Sequence, residues 1–200
     1  MPLDQSKIQL GDGFSLRLDP KAGGLDGMID EAIIAFSHGQ FRHKGMFVSD
    51  GTVIQQNPPY PVQTSIAGSD LDALFDRGLL CHTRIRGVTV EQQARALGWA
   101  QTHVGPKEGY GFLTLAELLP IGLLEEIPGL RDLVKSLPNP ADYQDHPVCS
   151  VWYWLAWCYG LGYDYASRFG IGSGFITPAD DALMIQRGEL IVIQDKGSLL

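Results

Sequence analysis

Cysteine is scarce in this chain: three in 200 residues, at Cys81, Cys149 and Cys158. An odd, sparse set is not the disulfide framework of a small secreted protein. If one helix carries both Cys149 and Cys158, its rise holds them roughly 13 Å apart, too far to bridge, so the thiols are expected to be free. Basic residues are also few. Fifteen Lys and Arg face 23 Asp and Glu, for a net charge of −8, and nowhere do they cluster. That balance argues against tracking nucleic-acid phosphates and against anionic membrane surfaces, and leaves neutral or cationic partners. The longest apolar stretch, residues 148–159, is too short and too aromatic to span a bilayer. Residues 1–7 lack a basic segment followed by an apolar run, so no secretory signal is expected; the location would be cytoplasmic unless the protein leaves by another route or is carried in a virion. No CxxC or HExxH pairing anchors a zinc site, although His43, His146 and Cys149 are conceivable ligands, so no metal is expected. The run Gly170-Ile171-Gly172-Ser173-Gly174 fails the spacing of a nucleotide loop, and no cofactor is expected. There is no internal repeat or coiled-coil heptad.

With 44% hydrophobic residues, the chain is able to bury a full core without metal or disulfide staples. One domain over 1–200 is the simplest count. Residues 8–18 have room for one short strand around Gly11-Asp12-Gly13, and residues 27–36 read as a helix or a buried strand. The clearest feature is a hairpin: Lys44-Gly45-Met46-Phe47-Val48, a turn at Ser49-Asp50-Gly51, then Thr52-Val53-Ile54-Gln55-Gln56, stopped by Asn57-Pro58-Pro59. A short helix capped by Ser69 follows over 69–77, then a strand over 79–85. Thr89-Val90-Glu91-Gln92 opens a helix with a capping box. Residues 113–119 continue as helix, and Pro120, Pro128, Pro138 and Pro140 mark 120–146 as an insertion of short turns, a lid or an interaction loop. Thr177-Pro178-Ala179-Asp180 resembles a helix start, and residues 189–193 a terminal strand. The expected fold class is α+β.

Cys149 carries the chemistry. It lies in the first turn of a strongly apolar helix, after Pro147 and with Asp145 or His146 as cap, among unpaired amides at the positive end of the helix dipole. That setting is expected to lower a thiol's pKa. Nucleophilic thiol catalysis also needs an imidazole and a polar group to orient it, and these need not be close in sequence. His43 begins the hairpin and Gln55 lies on its return strand. With a two-residue loop, positions 46 and 55 pair, Gln55 points away from His43, and Gln56 becomes the partner. A three-residue loop or a glycine bulge at Asp50-Gly51-Thr52 pairs 47 with 55 and restores Gln55 to the face of His43. His146, three residues before Cys149, is the rival imidazole, with capping or lining the cleft as its expected role. His38, His82 and His103 read as surface or satisfied histidines. Cys81 and Cys158 read as core, and Trp152, Trp154 and Trp157 as packing residues of which one could line a substrate groove.

The segment His43-Lys44-Gly45-Met46-Phe47-Val48-Ser49-Asp50-Gly51-Thr52-Val53-Ile54-Gln55 resembles the "HVGIYxGDGxVIE" strand pair of NlpC-like cysteine peptidases. His43 matches the general base, Gln55 the orienting position, and Val148-Cys149-Ser150 the "CSE" nucleophile signature. Because the cysteine follows the histidine, the order is that of the circularly permuted, papain-like branch, the YiiX and YaeF type, related to lecithin:retinol acyltransferase. Leu10-Gly11-Asp12, Gly109-Tyr110-Gly111-Phe112 and Thr177-Pro178-Ala179-Asp180 resemble the family's "pGD", "YDF" and "TPxD" pieces, so the likeness extends over residues 8 to 194. Departures are Lys44 in place of an apolar residue, Val151-Trp152 where an acidic residue is common, and the amide of Gln55 where Glu or His is frequent. An amide still fixes the imidazole tautomer but adds no charge to support imidazolium.

The resemblance implies a permuted papain-like fold, with a small antiparallel sheet packed against the helix that presents Cys149. It implies a thiol hydrolase acting by acyl transfer through Cys149, His43 and Gln55, with Tyr110, His146 and Trp152 lining the substrate site. The implied substrates are peptides of the cell wall, cut as an amidase or peptidase cuts peptidoglycan. The permuted branch also includes enzymes acting on lipid acyl groups, so a lipid-directed acyltransferase or thioesterase is the alternative. A catalytically weak binding module, such as a phage tail or effector component with an assembly partner, is the third reading.

Overall fold

The computed structural model describes residues 2–19, 40–49, 51–57, 60–65, 70–106, 149–162, 176–178 and 180–197. Expectations for 27–36, 113–119 and the proline-rich 120–146 lie outside the described residues. Within them the protein is α+β. Six strands, β1 (Gly13–Arg17), β2 (Phe41–Ser49), β3 (Thr52–Asn57), β4 (Tyr60–Ser65), β5 (Leu80–Ile85) and β6 (Leu190–Asp195), form one sheet in the order β4-β3-β2-β1-β5-β6. Every neighbouring pair is antiparallel. The helices are α1 (Leu71–Asp76), α2 (Val90–Thr102), α3 (Cys149–Leu161) and α4 (Asp180–Gln186). No helix among the described residues is long and apolar enough to cross a membrane.

Alternation along β1 to β3 feeds two separate cores. Phe14, Leu16, Phe47 and Val53 pack with Leu71 and Phe75 of α1, and with Leu3 and Ile8, on one face. Met46, Val48 and Ile54 pack against α2 and α3 on the other. A strand with apolar residues at both parities belongs to a sheet covered on both faces. Helix α3 is apolar all round, as a helix enclosed by a core must be: residues from Cys149 to Trp157 are all buried. Helix α2 begins with the expected capping box, in which Thr89 Oγ1 accepts from the Gln92 amide and Gln92 Oε1 from the Thr89 amide.

Two local readings are corrected, and one left open is decided. Asn57-Pro58-Pro59 does not end the sheet: β4 follows at once and pairs along the whole of β3, from Thr52 with Ser65 to Asn57 with Tyr60. Pro61 sits in β4 at the edge of the sheet, where a missing amide donor is tolerated. Helix α1 has Asp70, not Ser69, at its N-cap position, without a side-chain cap bond. The hairpin closes through a two-residue turn with Ser49 opposite Thr52, Gly51 supplying a φ of 98°.

Gly45 is required for packing. A Cβ there would overlap the Phe14 ring and approach the Ile54 carbonyl at 3.0 Å. Gly45→Ala is expected to destabilise the protein by about 1–3 kcal/mol through overpacking. Urea unfolding of the variant against the parent measures this; an unchanged midpoint would mean that Phe14 moves aside freely.

Candidate active site

His43 and Gln55, the expected base and orienting group, come from β2 and β3. The two-residue turn taken alone would pair Met46 with Gln55 and turn Gln55 away from His43. Instead the ladder runs Ser49 with Thr52, then Phe47 with Val53, Met46 with Ile54 and Gly45 with Gln55. Val48 is therefore an extra residue in β2, a bulge that slips the register by one and returns Gln55 to the face of His43. The bulge lies upstream of the turn rather than at Asp50-Gly51-Thr52, and Gln55 faces Gly45 instead of Phe47. Gly45 has no side chain to intervene, and His43 Nε2 lies 3.1 Å from Gln55 Oε1. With Nε2–H donating to that oxygen, the nitrogen carrying the lone pair is Nδ1. Both side chains are partly exposed.

The sulfur arrives from the other side of the sheet. Phe47 N–H donates to Asp12 on the β1 side, so alternation turns the Lys44 N–H toward β3. The β2–β3 ladder ends at Gly45 and Gln55. Beyond it the Lys44 amide, together with the amides of Ser150 and Cys149 itself, is directed at Cys149 Sγ. The thiol thus takes the place of β3 as partner of the residue that follows His43 in sequence. Cys149 is the first residue of α3, and Ser150 Oγ donates to the Ile176 carbonyl at 2.7 Å, anchoring this turn.

The electrostatics differ from expectation. The helix start does present amides to the sulfur, but Cys149 is 2% exposed. Burial, aided by the charge of Asp181, outweighs the amides and raises the thiol from 9.0 to about 11. His43 is lowered from 6.5 to about 4, first by burial and then by the positive charge of Arg42, against a smaller opposing effect of the Gln55 hydrogen bond. At neutral pH the resting pair is a thiol and a neutral imidazole, not the thiolate that the helix position suggested.

Of the other expected site residues, Tyr110 and His146 lie outside the described residues. Trp152 has none of its surface exposed and packs in the core, its ring centroid 6.0 Å from that of Trp99, which is the packing role and not that of a groove wall. Cys81 is buried, Cys158 is partly buried, and none of the three cysteines is in a disulfide. His103 stacks on Trp99 at 3.9 Å. Among the described residues no group of three His, Cys, Asp or Glu is placed to hold a metal ion.

Sequence reasoning missed two buried polar clusters. Lys44 Nζ lies 2.5 Å from Asp181 Oδ2 and 4.3 Å above the Tyr153 ring, and Ser15 Oγ donates to the same carboxylate oxygen. His82 is likewise wholly buried. Its Nε2 lies 2.7 Å from Asp12 Oδ2 and its Nδ1 3.1 Å from Gln194 Nε2. Arg84 grips both Asp12 oxygens. The available signal was a lysine at an apolar position of β2, but its partner is 137 residues away.

The acid behaviour of the fold follows from His43. The unfolded chain takes up this proton near 6.5, whereas the folded chain resists it down to about 4. The unfolded state therefore binds more protons across that window, and stability falls as pH drops through it. Thermal unfolding from pH 7 to 4 is expected to show this loss, with a shallower slope in His43→Gln; identical slopes would assign the acid sensitivity to other groups. No protein-family model matches this chain, and neither curated proteins nor solved structures return a match to it.

Proposed function

We propose that this protein is a cysteine hydrolase that cleaves amide bonds by acyl transfer, with Cys149 as nucleophile, His43 as general base and Gln55 as orienting group, on a permuted papain-like fold. The observation that carries the reading is the sulfur of Cys149 against the amide of Lys44, the next residue after a His43 whose Nε2 is tied to Gln55. Because thiol and imidazole are both neutral at rest, His43 Nδ1 takes the thiol proton as the sulfur attacks the carbonyl carbon. The tetrahedral oxyanion is stabilised at the start of α3, where the Cys149 amide is a donor. His43 then gives its proton to the departing amine, leaving a thioester. Water, deprotonated by His43, attacks that thioester and releases the acid and the thiol. The resemblance of 43–55 to the NlpC-like strand pair directs the substrate assignment to peptides of the bacterial cell wall.

One observation favours a second reading. A sulfur with 2% exposure and a raised pKa suits a binding module that has kept the site's shape without turnover. Purified peptidoglycan fragments and simple acyl esters, incubated separately and read by mass spectrometry, decide among hydrolase, lipid-type esterase and binder. For the hydrolase, Cys149→Ala abolishes cleavage of the peptide, and His43→Ala lowers kcat/KM by about 10²–10⁴-fold. Gln55→Ala gives a smaller loss, because the base survives without its orienting bond. No turnover of either substrate class, with Cys149 as inert to iodoacetamide as an ordinary buried thiol, would leave the binding module.

A further inference from the structure

The segment from Ile176 to Asp181 touches both halves of the site without supplying a reacting group. On the helix side, the Ile176 carbonyl accepts from Ser150 Oγ at 2.7 Å, one residue from the nucleophile. On the strand side, Asp181 accepts from Lys44 Nζ at 2.5 Å, one residue from the base. Between these anchors the segment is braced by its own bonds: Asp180 Oδ2 accepts from the Thr177 amide and hydroxyl at 2.8 and 3.0 Å. A second strand joins the same carboxylate, since Ser15 Oγ of β1 donates to Asp181.

We propose that this segment is a positioning bracket, in which Lys44, Asp181 and Ser150 set the placement of the Cys149 sulfur relative to the strand that carries His43. The proposal rests on the hydrolase reading and deepens it. Past Gly45 and Gln55 the ladder no longer pairs β2 with β3, and at Lys44 the strand meets the thiol on that side. What else fixes the Lys44 amide is its pairing with Ser15 and its own side chain. That side chain reaches beneath α3 to Asp181, passing over Tyr153, which lies one helical turn from Cys149 on the same face. Lys44 thus meets the sulfur through its backbone and the nucleophile's helix through its ammonium. Both charges are 2% exposed. A buried ion pair of this kind is weak evidence of stabilisation, because well-packed apolar residues often serve as well or better, while fixing register is its best-attested use.

The test separates reactivity from folding. Lys44→Met/Asp181→Leu is expected to unfold thermally within a few degrees of the parent. Its alkylation by iodoacetamide at pH 7 is expected to be at least tenfold slower. In the parent the rate falls as pH drops through about 4, where His43 takes a proton; in the double variant that acid limb disappears, and the rate follows only the alkaline titration of the thiol. Ser150→Ala gives a smaller slowing of the same kind. Should the double variant not fold, Asp181→Asn, which keeps the shape and an acceptor for Ser15, carries the test with the same expected loss. A folded variant whose rate and acid limb match the parent overturns the bracket. A parent whose Cys149 labelling is insensitive to His43→Ala overturns the hydrolase reading instead, so the two failures are distinct.

Discussion

The parity of β2 is the constraint on which the rest depends. The sheet is covered on both faces, so each residue of this strand answers to one core or the other. Phe47 packs with the α1 side, while Met46 and Val48 pack with α2 and α3. His43 and Gly45 share the parity of Phe47, and Lys44 that of Met46. A change of one residue in register would bury Gln55 among the α3 contacts and remove it from the imidazole. The bulge at Val48 prevents this, and it costs little because Val48 itself remains buried in the larger core. His43 therefore leaves β2 on the opposite face to Lys44, beside Phe14, and the thiol meets this strand in the plane of the sheet, through the Lys44 backbone amide.

The parts of the fold legible in the sequence are those set by short-range chemistry. Asp50-Gly51 marks the hairpin, Thr89 and Gln92 mark a helix start, and the apolar run within 189–193 marks a strand. These signals act over a few residues and survive without tertiary context. The bulge was not legible, because Val48 is a good strand residue in either register; only the competition of two cores for Phe47 and Met46 decides it. Strand β4 was hidden by reading Pro58-Pro59 as a stop, when an edge position lets Pro61 join the sheet. Cys149, His43 and Gln55 were singled out by residue type, order and the NlpC-like resemblance, whereas Lys44 looked merely anomalous. Its reason lies at Asp181, and no local pattern links residues so far apart.

The thiol shows how two correct rules compete. A helix start lowers a cysteine's pKa and burial raises it. Three amides directed at Sγ represent the first effect, and near-complete exclusion of water the second. Burial wins. Partial burial, aided by the charge of Arg42, also keeps His43 neutral, so both groups are uncharged at rest. An ion pair formed at rest would need charge stabilised in that enclosure before any substrate arrived.

The sheet carries two oriented histidines, and the contrast between them clarifies the role of Gln55. His82 meets a carboxylate. Burial alone would push Asp12 up, but hydrogen bonds from Arg84 and His82 hold it below the usual carboxylate range. His82 Nδ1 is engaged by Gln194, which also bonds both the amide and the carbonyl of Asp4. Both ring nitrogens are occupied and no surface is exposed, so this imidazole ties β1, β5, β6 and the N-terminal segment together and has no nitrogen left for chemistry. His43 meets an amide, keeps partial exposure, and has one nitrogen committed to Gln55. A carboxylate at position 55 would favour imidazolium and so raise the pKa of the base. The amide leaves the ring oriented and uncharged, which suits a partner thiol that is itself protonated.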